Sequence, residues 1–252
     1  MKSINEIKTE YSLLNNETAD AFIKAYSDDT RSGVVSLVKK AEKLILDYEQ
    51  EVIRTDVMYS FEREYSVYNA ICGIDEVGRG PLAGPVVAGA VILPKNEKLL
   101  YLNDSKKLSA KKREELSDII IEKAVGVSIA EVGHERIDEI NILQATYEAM
   151  RKAVHNLSVS PDILLNDAVT IPGLSMKQVP IIKGDAKSAS IAAASIVAKV
   201  YRDRLMVKYD DMYPGYGFAE NKGYGSQAHI DAIKRLGPSP IHRMSFIQNF
   251  IQ

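Results

Sequence analysis

The sequence predicts an α/β domain preceded by a small helical unit, and three observations predict it. Apolar runs of strand length recur at Ala70–Ile74, Pro85–Leu93, Val125–Val132, Asp162–Leu165 and Val179–Ile182. Helical patterns fall between and after them, over about 109–123, 140–156 and 187–209, and strands mixed with helices across short loops imply an α/β sheet domain. Ahead of Gly73 the texture differs, with one glycine (Gly33) and no proline.

In the front segment, Ser3 followed by Glu6 is a capping-box pattern, and Asp28 to Thr30 offers a second helix start. Beyond them Val34, Val35, Val38, Ala41, Leu44, Ile45, Tyr48, Val52 and Ile53 recur at three- and four-residue steps, the mark of an amphipathic helix. The texture changes at Tyr68-Asn69. The expected organisation is therefore a helical N-terminal extension over residues 1–69 and a larger domain over 70–252. The extension reads as a packing or substrate-steering appendage.

Composition narrows the class. Hydrophobic residues make up 46% of the chain and charged residues 26%, enough for a sizeable core. A single cysteine, Cys72, excludes an internal disulfide and most zinc-finger arrangements, and fits a reducing compartment. Residues 1–17 contain no apolar run of signal-peptide or membrane-spanning length, so a cytoplasmic protein without membrane contact is expected. The net charge of -2 hides an uneven distribution: residues 1–70 carry 9 basic and 13 acidic side chains, residues 183–252 carry 10 and 6. A near-neutral total argues against purely electrostatic binding but leaves room for a phosphate-rich partner, above all if bound cations offset the acids.

The candidate chemistry lies in carboxylates at strand ends. Asp75 and Glu76 follow the first apolar run and precede Val77-Gly78-Arg79-Gly80-Pro81, at the carboxyl end of a strand where α/β folds place ligands. Taken alone, such a pair is more often a solvated turn. Adjacent strand residues point to opposite faces, so both side chains reach one site only if the strand ends or bulges there, or if Glu76 offers its main-chain carbonyl. Asp167 ends the run from Ile163, where a turn-forming Asp is about as common. Asp185 stands at the entrance to a helix, where capping is the strong alternative. That helix carries a small-residue face of Ala189, Ala192, Ala193, Ala194, Ser195 and Ala198, suited to pressing closely on a sheet. Together the four acids make a candidate catalytic and metal-ligating set. An all-oxygen set selects Mg²⁺ or Mn²⁺ over zinc, and two such ions can serve phosphodiester cleavage. Clustered carboxylates without metal are expected to show raised pKa values.

Five of the fifteen glycines (73, 78, 80, 84 and 89) fall within seventeen residues. Arg79 between Gly78 and Gly80 is a weak signal alone, but beside the acids it is a candidate reader of phosphate and of the ribose hydroxyl that separates RNA from DNA. Lys106 and Lys107 are candidate phosphate contacts within a basic cluster that continues through Lys111, Lys112 and Arg113. Tyr224, in Lys222-Gly223-Tyr224-Gly225, could stack on a sugar or base, though loop tyrosines more often pack. The four histidines show no metal-ligand spacing: His134 and His155 read as structural, His229 and His242 stay open.

At this point the motifs resemble a family. Gly73-Ile74-Asp75-Glu76-Val77-Gly78-Arg79-Gly80-Pro81-Leu82-Ala83-Gly84-Pro85 is similar to the signature of bacterial ribonuclease HII, and Asp104-Ser105-Lys106-Lys107-Leu108 to its second block. Lys183-Gly184-Asp185-Ala186-Lys187, with Ile191 to Val200 and Arg202-Asp203, resembles the third. Gly223-Tyr224-Gly225 with His229, then His242-Arg243-Met244-Ser245-Phe246, resembles the tail. The likeness runs over residues 70–247. It implies a ribonuclease H-like mixed β-sheet flanked by helices, with a two-metal site (Mn²⁺ or Mg²⁺) formed by Asp75, Glu76, Asp167 and Asp185. It further implies substrate contacts from Gly78, Arg79, Gly80, Lys106, Lys107, Lys187 and Tyr224. The implied activity is hydrolysis of RNA in RNA/DNA hybrids and incision 5′ of single ribonucleotides in DNA, leaving 5′-phosphate and 3′-hydroxyl ends, by a monomer. Asn166 stands where the family usually has an apolar residue, and Asp203, far down its helix from Asp185, reads as structural. Residues 1–69 resemble the extension of some Gram-positive members. The sister family, ribonuclease HIII, has a sheet-rich N-terminal domain, and little in 1–69 alternates like strands.

Three further readings stand beside it. A ribonuclease HIII-type enzyme would cut only longer hybrids. A non-catalytic nucleic-acid-binding module would gain nothing from clustering negative charge near phosphates. A metal-dependent phosphatase for small molecules finds no supporting feature.

Overall fold

A computed structural model describes residues 1–251, and its chain divides into two compact units, Met1–Val57 and Met58 onward. The first contains α1 (Ile4–Ser12), α2 (Ala19–Tyr26) and most of α3 (Ser32–Met58). The capping box at Ser3 forms: the Ser3 hydroxyl accepts from the Glu6 N–H at 3.3 Å, and the Glu6 carboxylate from the Ser3 N–H at 2.6 Å. Ile7, Phe22, Val34, Leu37 and Ala41 form this unit's core. Along α3 the apolar stripe is buried only at its upper end, and Val52 and Ile53 are exposed.

The second unit opens with α4 (Ser60–Glu64) and builds a five-stranded sheet from β1 (Ile71–Val77), β2 (Val86–Ile92), β3 (Gly126–Val132), β4 (Ile163–Asp167) and β5 (Lys177–Ile181), in the order β3-β2-β1-β4-β5. β1 pairs antiparallel with β2, and β2 with β3. β1 pairs parallel with β4, and β4 with β5. Three parallel strands thus bring their carboxyl ends to one edge. α5 (Ala110–Lys123) and α7 (Ala189–Met212) cover one face, and α6 (His134–His155) the other. The remaining helices are α8 (Phe218–Asn221), α9 (Gln227–Leu236) and α10 (Met244–Ile247).

Strand alternation sorts the side chains. Cys72, Ile74, Ala88, Ala90 and Leu164 join the α6-side core, while Ile71, Val91, Ile163 and Leu165 face α7. On that second face the small residues of α7 meet glycine. A Cβ on Gly73 would lie 2.0 Å from the Ser190 carbonyl carbon, and one on Gly89 would lie 2.5 Å from the Ala194 oxygen. The helix backbone touches the sheet directly, which side chains at those two positions would prevent.

Two helices differ in part from the sequence reading. α6 is broken at Asn141 (φ 67°, ψ 164°), so its second segment begins there, close to the expected 140, and an unpredicted first segment from His134 precedes it. The left-handed region is tolerable for asparagine, and its side chain then caps the next turn, accepting from the Leu143 and Gln144 N–H groups. α7 begins at Ala189, not 187. Its cap is Ser188, whose hydroxyl accepts from Ile191 N–H, so Asp185 is not the helix cap.

Candidate metal centre and nucleic-acid interface

Each acid reaches the sheet edge by a different backbone device. β1 neither ends nor bulges at Asp75: its pairing with β2 continues through Glu76 and Val77. Asp75 therefore shares the α7 face with Gly73, and Glu76 leaves on the other face, as regular alternation requires. Pairing with β4 stops at Ile74, so both acids project beyond the β4 ladder. Asp167 is the last residue of β4, and Ala168 follows at φ 57°. Asp185 lies in a short 3-10 turn, Gly184–Ala186, entered through Lys183 at φ 57°. Left-handed backbone at non-glycine residues costs on the order of 1 kcal/mol each and concentrates where geometry is constrained by function.

Asp167 and Asp185 are tied together by Gly184. The Gly184 N–H donates to Asp167 Oδ1 at 2.7 Å. A Cβ on Gly184 would fall 2.6 Å from the Ile191 Cδ1 and 3.4 Å from Asp167, so a side chain there would have to push the Ile191 side chain aside.

Electrostatics show that the acids converge. Burial raises the Asp75 carboxyl well above its ordinary range, and the charges of Glu76 and Asp167 push it further. Burial also raises Glu76, with Asp167 adding to it and Arg79 opposing. Asp185 is raised by burial, then by Asp104 and Asp167. Lys106 reads the same field from the other side. Burial disfavours its charge, yet the carboxylates of Asp185, Asp75, Asp104 and Asp167 outweigh that and raise its pKa. Lys106 feels these charges without pairing with any of them among the described residues, and a donor set made of carboxylate oxygens fits a hard divalent ion. Among the described residues no three His, Cys, Asp or Glu side chains stand in ready ligating geometry.

The neighbouring loop is held from beneath. Gly78 takes φ 88°, and the Arg79 guanidinium reaches Glu76 at 3.4 Å. Arg79 and Gly80 are exposed, and a Cβ on Gly80 would lie 3.8 Å from the Tyr224 ring. The Tyr224 ring is itself exposed. Lys107 and Lys187 are exposed and make no side-chain hydrogen bond or ion pair among the described residues. So Asp75, Glu76, Asp167, Asp185 and Lys106 share one electrostatic site, with Gly78–Gly80 and Tyr224 adjoining it. Lys107 and Lys187 follow Lys106 and Asp185 in the chain, and neither pairs with the four acids among the described residues.

Several residues escape a reading of the sequence. Arg202 and Arg243 are fully buried with no carboxylate partner. Arg202 donates to the carbonyls of Pro85, Lys222 and Ala83, and Arg243 to those of Gly84, Arg79 and Gly78. His229 and His242 join through their Nε2 atoms at 3.0 Å. Ser195 hydrogen-bonds Asp75 and shares a 2.9 Å hydroxyl contact with Ser105. Arg202 shares the second half of α7 with Lys199, Asp203, Arg204 and Lys208, so its charge alone does not mark it as buried or say what the guanidinium meets. Asp203 pairs with Lys199 at 2.8 Å, beside Arg113 at 3.8 Å, a structural role. Asn166 is buried on β4, its amide donating to Gln178 Oε1 at 2.8 Å. Gln178 also exchanges hydrogen bonds with both main-chain groups of Ile171. The polar residue thus braces the loop that follows Asp167.

Comparison with known proteins places this arrangement. The family model described as Ribonuclease HII matches residues 72–249, and that described as Ribonuclease HII N-terminal domain matches residues 3–66. Ribonuclease HII of Lachnoclostridium phytofermentans is 60% identical over 246 residues, covering 98% of this chain and 97% of its own length. Among solved structures, the ribonuclease H2 of Pyrococcus horikoshii aligns with TM-score 0.60 at 27% identity, over 72% of this chain and 96% of that one. A Bst-RNase HIII solved in complex with Mn²⁺ shares the fold, with TM-score 0.52 at 16% identity over 70% of this chain and 67% of that one.

Proposed function

This chain belongs to the ribonuclease HII family, whose members are metal-dependent ribonucleases, and we propose that it incises duplex DNA 5′ of single embedded ribonucleotides as well as RNA in RNA/DNA hybrids. The observation that carries the reading is the meeting at one sheet edge of buried, mutually repelling carboxylates around Lys106, beside an exposed Gly-Arg-Gly loop and an exposed tyrosine. A binding module would gain nothing from burying those charges next to phosphate. In this reading residues 70–252 are the catalytic domain and residues 1–69 an extension to it.

In the proposed mechanism Asp75, Glu76, Asp167 and Asp185 hold the metal. Two Mn²⁺ or Mg²⁺ ions, when bound, would supply Lewis acidity for water attack and for the leaving 3′-oxygen. Asp75 and Asp185 are best placed to hold metal through side chains fixed by burial, and Gly184 keeps Asp167 oriented. Lys106, exposed and close enough to the acids to feel their charge, would contact the substrate phosphate. The peptide groups of Gly78–Gly80 would read the ribose 2′-hydroxyl, and Tyr224 would stack on the next deoxyribose. Cleavage would leave 5′-phosphate and 3′-hydroxyl ends.

The test is cleavage of a DNA duplex with one ribonucleotide, run beside a uniform RNA/DNA hybrid. We expect Mn²⁺- or Mg²⁺-dependent incision 5′ of the lone ribonucleotide, abolished by chelator and reduced at least about 10³-fold in Asp167→Asn. Activity confined to long hybrids, or cutting that survives chelation, would overturn the reading.

A further inference from the structure

We propose that the buried dipeptide His242-Arg243 positions both halves of the ribonucleotide reader, Arg243 through the Gly78–Gly80 loop and His242 through His229 and Tyr224. The inference rests on the function proposed above.

The Arg243 half follows from where carbonyls point. Arg243 Nη2 donates to Gly78 O at 2.6 Å and Nη1 to Arg79 O at 2.9 Å. In a trans peptide the next N–H points the opposite way from the carbonyl. With both carbonyls drawn inward, the N–H groups of Arg79 and Gly80 face outward, and among the described residues neither has a partner. Two adjacent donors on an exposed loop form a concave acceptor-binding surface. A planar fork sets two peptide planes at once, which a lysine ammonium cannot do.

The His242 half is a chain of hydrogen bonds whose direction is determined. Ser239 N–H donates to His242 Nδ1 at 2.8 Å, so that nitrogen is an acceptor and the proton sits on Nε2. His242 Nε2–H then donates to His229 Nε2 at 3.0 Å. His229 must carry its proton on Nδ1, which donates to Tyr224 O at 2.8 Å. The ring of Tyr224 is exposed while its backbone is anchored three steps back into the core.

The two halves are one body. Leu82 N–H donates to Gly223 O at 2.7 Å, Arg243 N–H to Leu82 O at 2.8 Å, and Gly84 N–H to Ile241 O at 2.9 Å. Arg202 adds a bridge from Pro85 and Ala83 to Lys222. Sequence neighbours 242 and 243 thus set the distance between the outward amides and the stacking ring, which must match one ribose followed by one deoxyribose.

The experiment measures binding of the full chain, without divalent metal, to a fluorescent DNA duplex bearing one ribonucleotide and to the same duplex in all-DNA form. Arg243→Gln, Arg243→Lys, His242→Gln, Tyr224→Ala and the His242→Gln/Tyr224→Ala double variant are compared, each checked by circular dichroism melting. We expect Arg243→Gln and His242→Gln to cut the preference for the ribonucleotide duplex by about tenfold, and Arg243→Lys to restore only part of it. In the Tyr224→Ala background His242→Gln should have no further effect, since a residue acting through another is not additive with it. If Arg243→Gln does not fold, Arg243→Lys, which keeps the charge, carries the test. Preference unchanged in the folded variants, or additive losses in the double variant, would overturn the positioning role alone. A wild type without preference would instead overturn the proposed function, and this inference with it.

Discussion

His229 and His242 can keep their hydrogen bonds only as neutral rings. Burial lowers both below the ordinary 6.5, and the neighbouring His229 helps bring His242 to about 4. A histidine whose pKa is lowered by folding binds its proton more readily in the unfolded chain. Its contribution is present above pH 6.5 and is lost as pH falls toward 4. The shift of His242 corresponds to on the order of 3 kcal/mol. We therefore expect the wild type's stability advantage over His242→Asn, measured by urea unfolding, to shrink steadily between pH 7 and 4.5. An advantage independent of pH would contradict the tautomer assignment. At this scale the sequence was informative about position and mute about partners. Asp167 could be located at a strand end because an apolar run stops beside it, whereas the run before Asp75 stops at Ile74 while β1 itself continues through Val77. The sequence did not reveal that Arg243 would meet three carbonyls, because residues 78, 79 and 84 are remote in the chain and carry no complementary charge.

At the scale of the element, α7 is the organising piece. Its small residues were legible as a close-packing face, and Gly73 and Gly89 supply the surface that receives it. Replacing Gly73 by alanine puts a Cβ 2.0 Å from Ser190 backbone, with sheet on one side and helix on the other. We expect Gly73→Ala to destabilise by about 3 kcal/mol or more in denaturant unfolding, since backbone on both sides cannot yield. Gly133→Ala, where a Cβ meets nothing within 4 Å, should stay within about 0.5 kcal/mol. Equal effects would refute the close-packing account. Periodicity located α7 and the second segment of α6, but not the first segment of α6 or the exact start of α7. Ser188 outcompetes Asp185 as cap because its hydroxyl reaches Ile191 N–H, which leaves the Asp185 carboxylate to the site. The short segment from His134 was not legible, because Asn141 breaks it from the longer helix whose apolar pattern the sequence shows.

At the scale of the whole molecule, the acids are a liability that a cation relieves. Asp75, Glu76 and Asp185 are all held above their ordinary pKa by burial and mutual charge. An ion that binds the folded chain stabilises it by mass action, about 2.7 kcal/mol at roughly one hundred times its dissociation constant. We expect Mn²⁺ to raise the melting temperature by several degrees, reversed by chelator and absent in Asp185→Asn, as read by differential scanning calorimetry. An equal rise in the variant would place the ion elsewhere.

By itself the sequence determined the alternation of strands and helices, the small-residue helix, and four acids standing just after apolar runs or just before a helix. Each follows from local period, capping and apolar run length, which a chain carries residue by residue. Only the tertiary structure decided which strands run parallel, and so which ends share an edge. It also decided that Asp75 and Glu76 leave opposite faces, that Lys106 enters the acid cluster, and that two buried arginines and two histidines brace the recognition loops. Those outcomes depend on burial and on partners distant in sequence, and no local pattern encodes either.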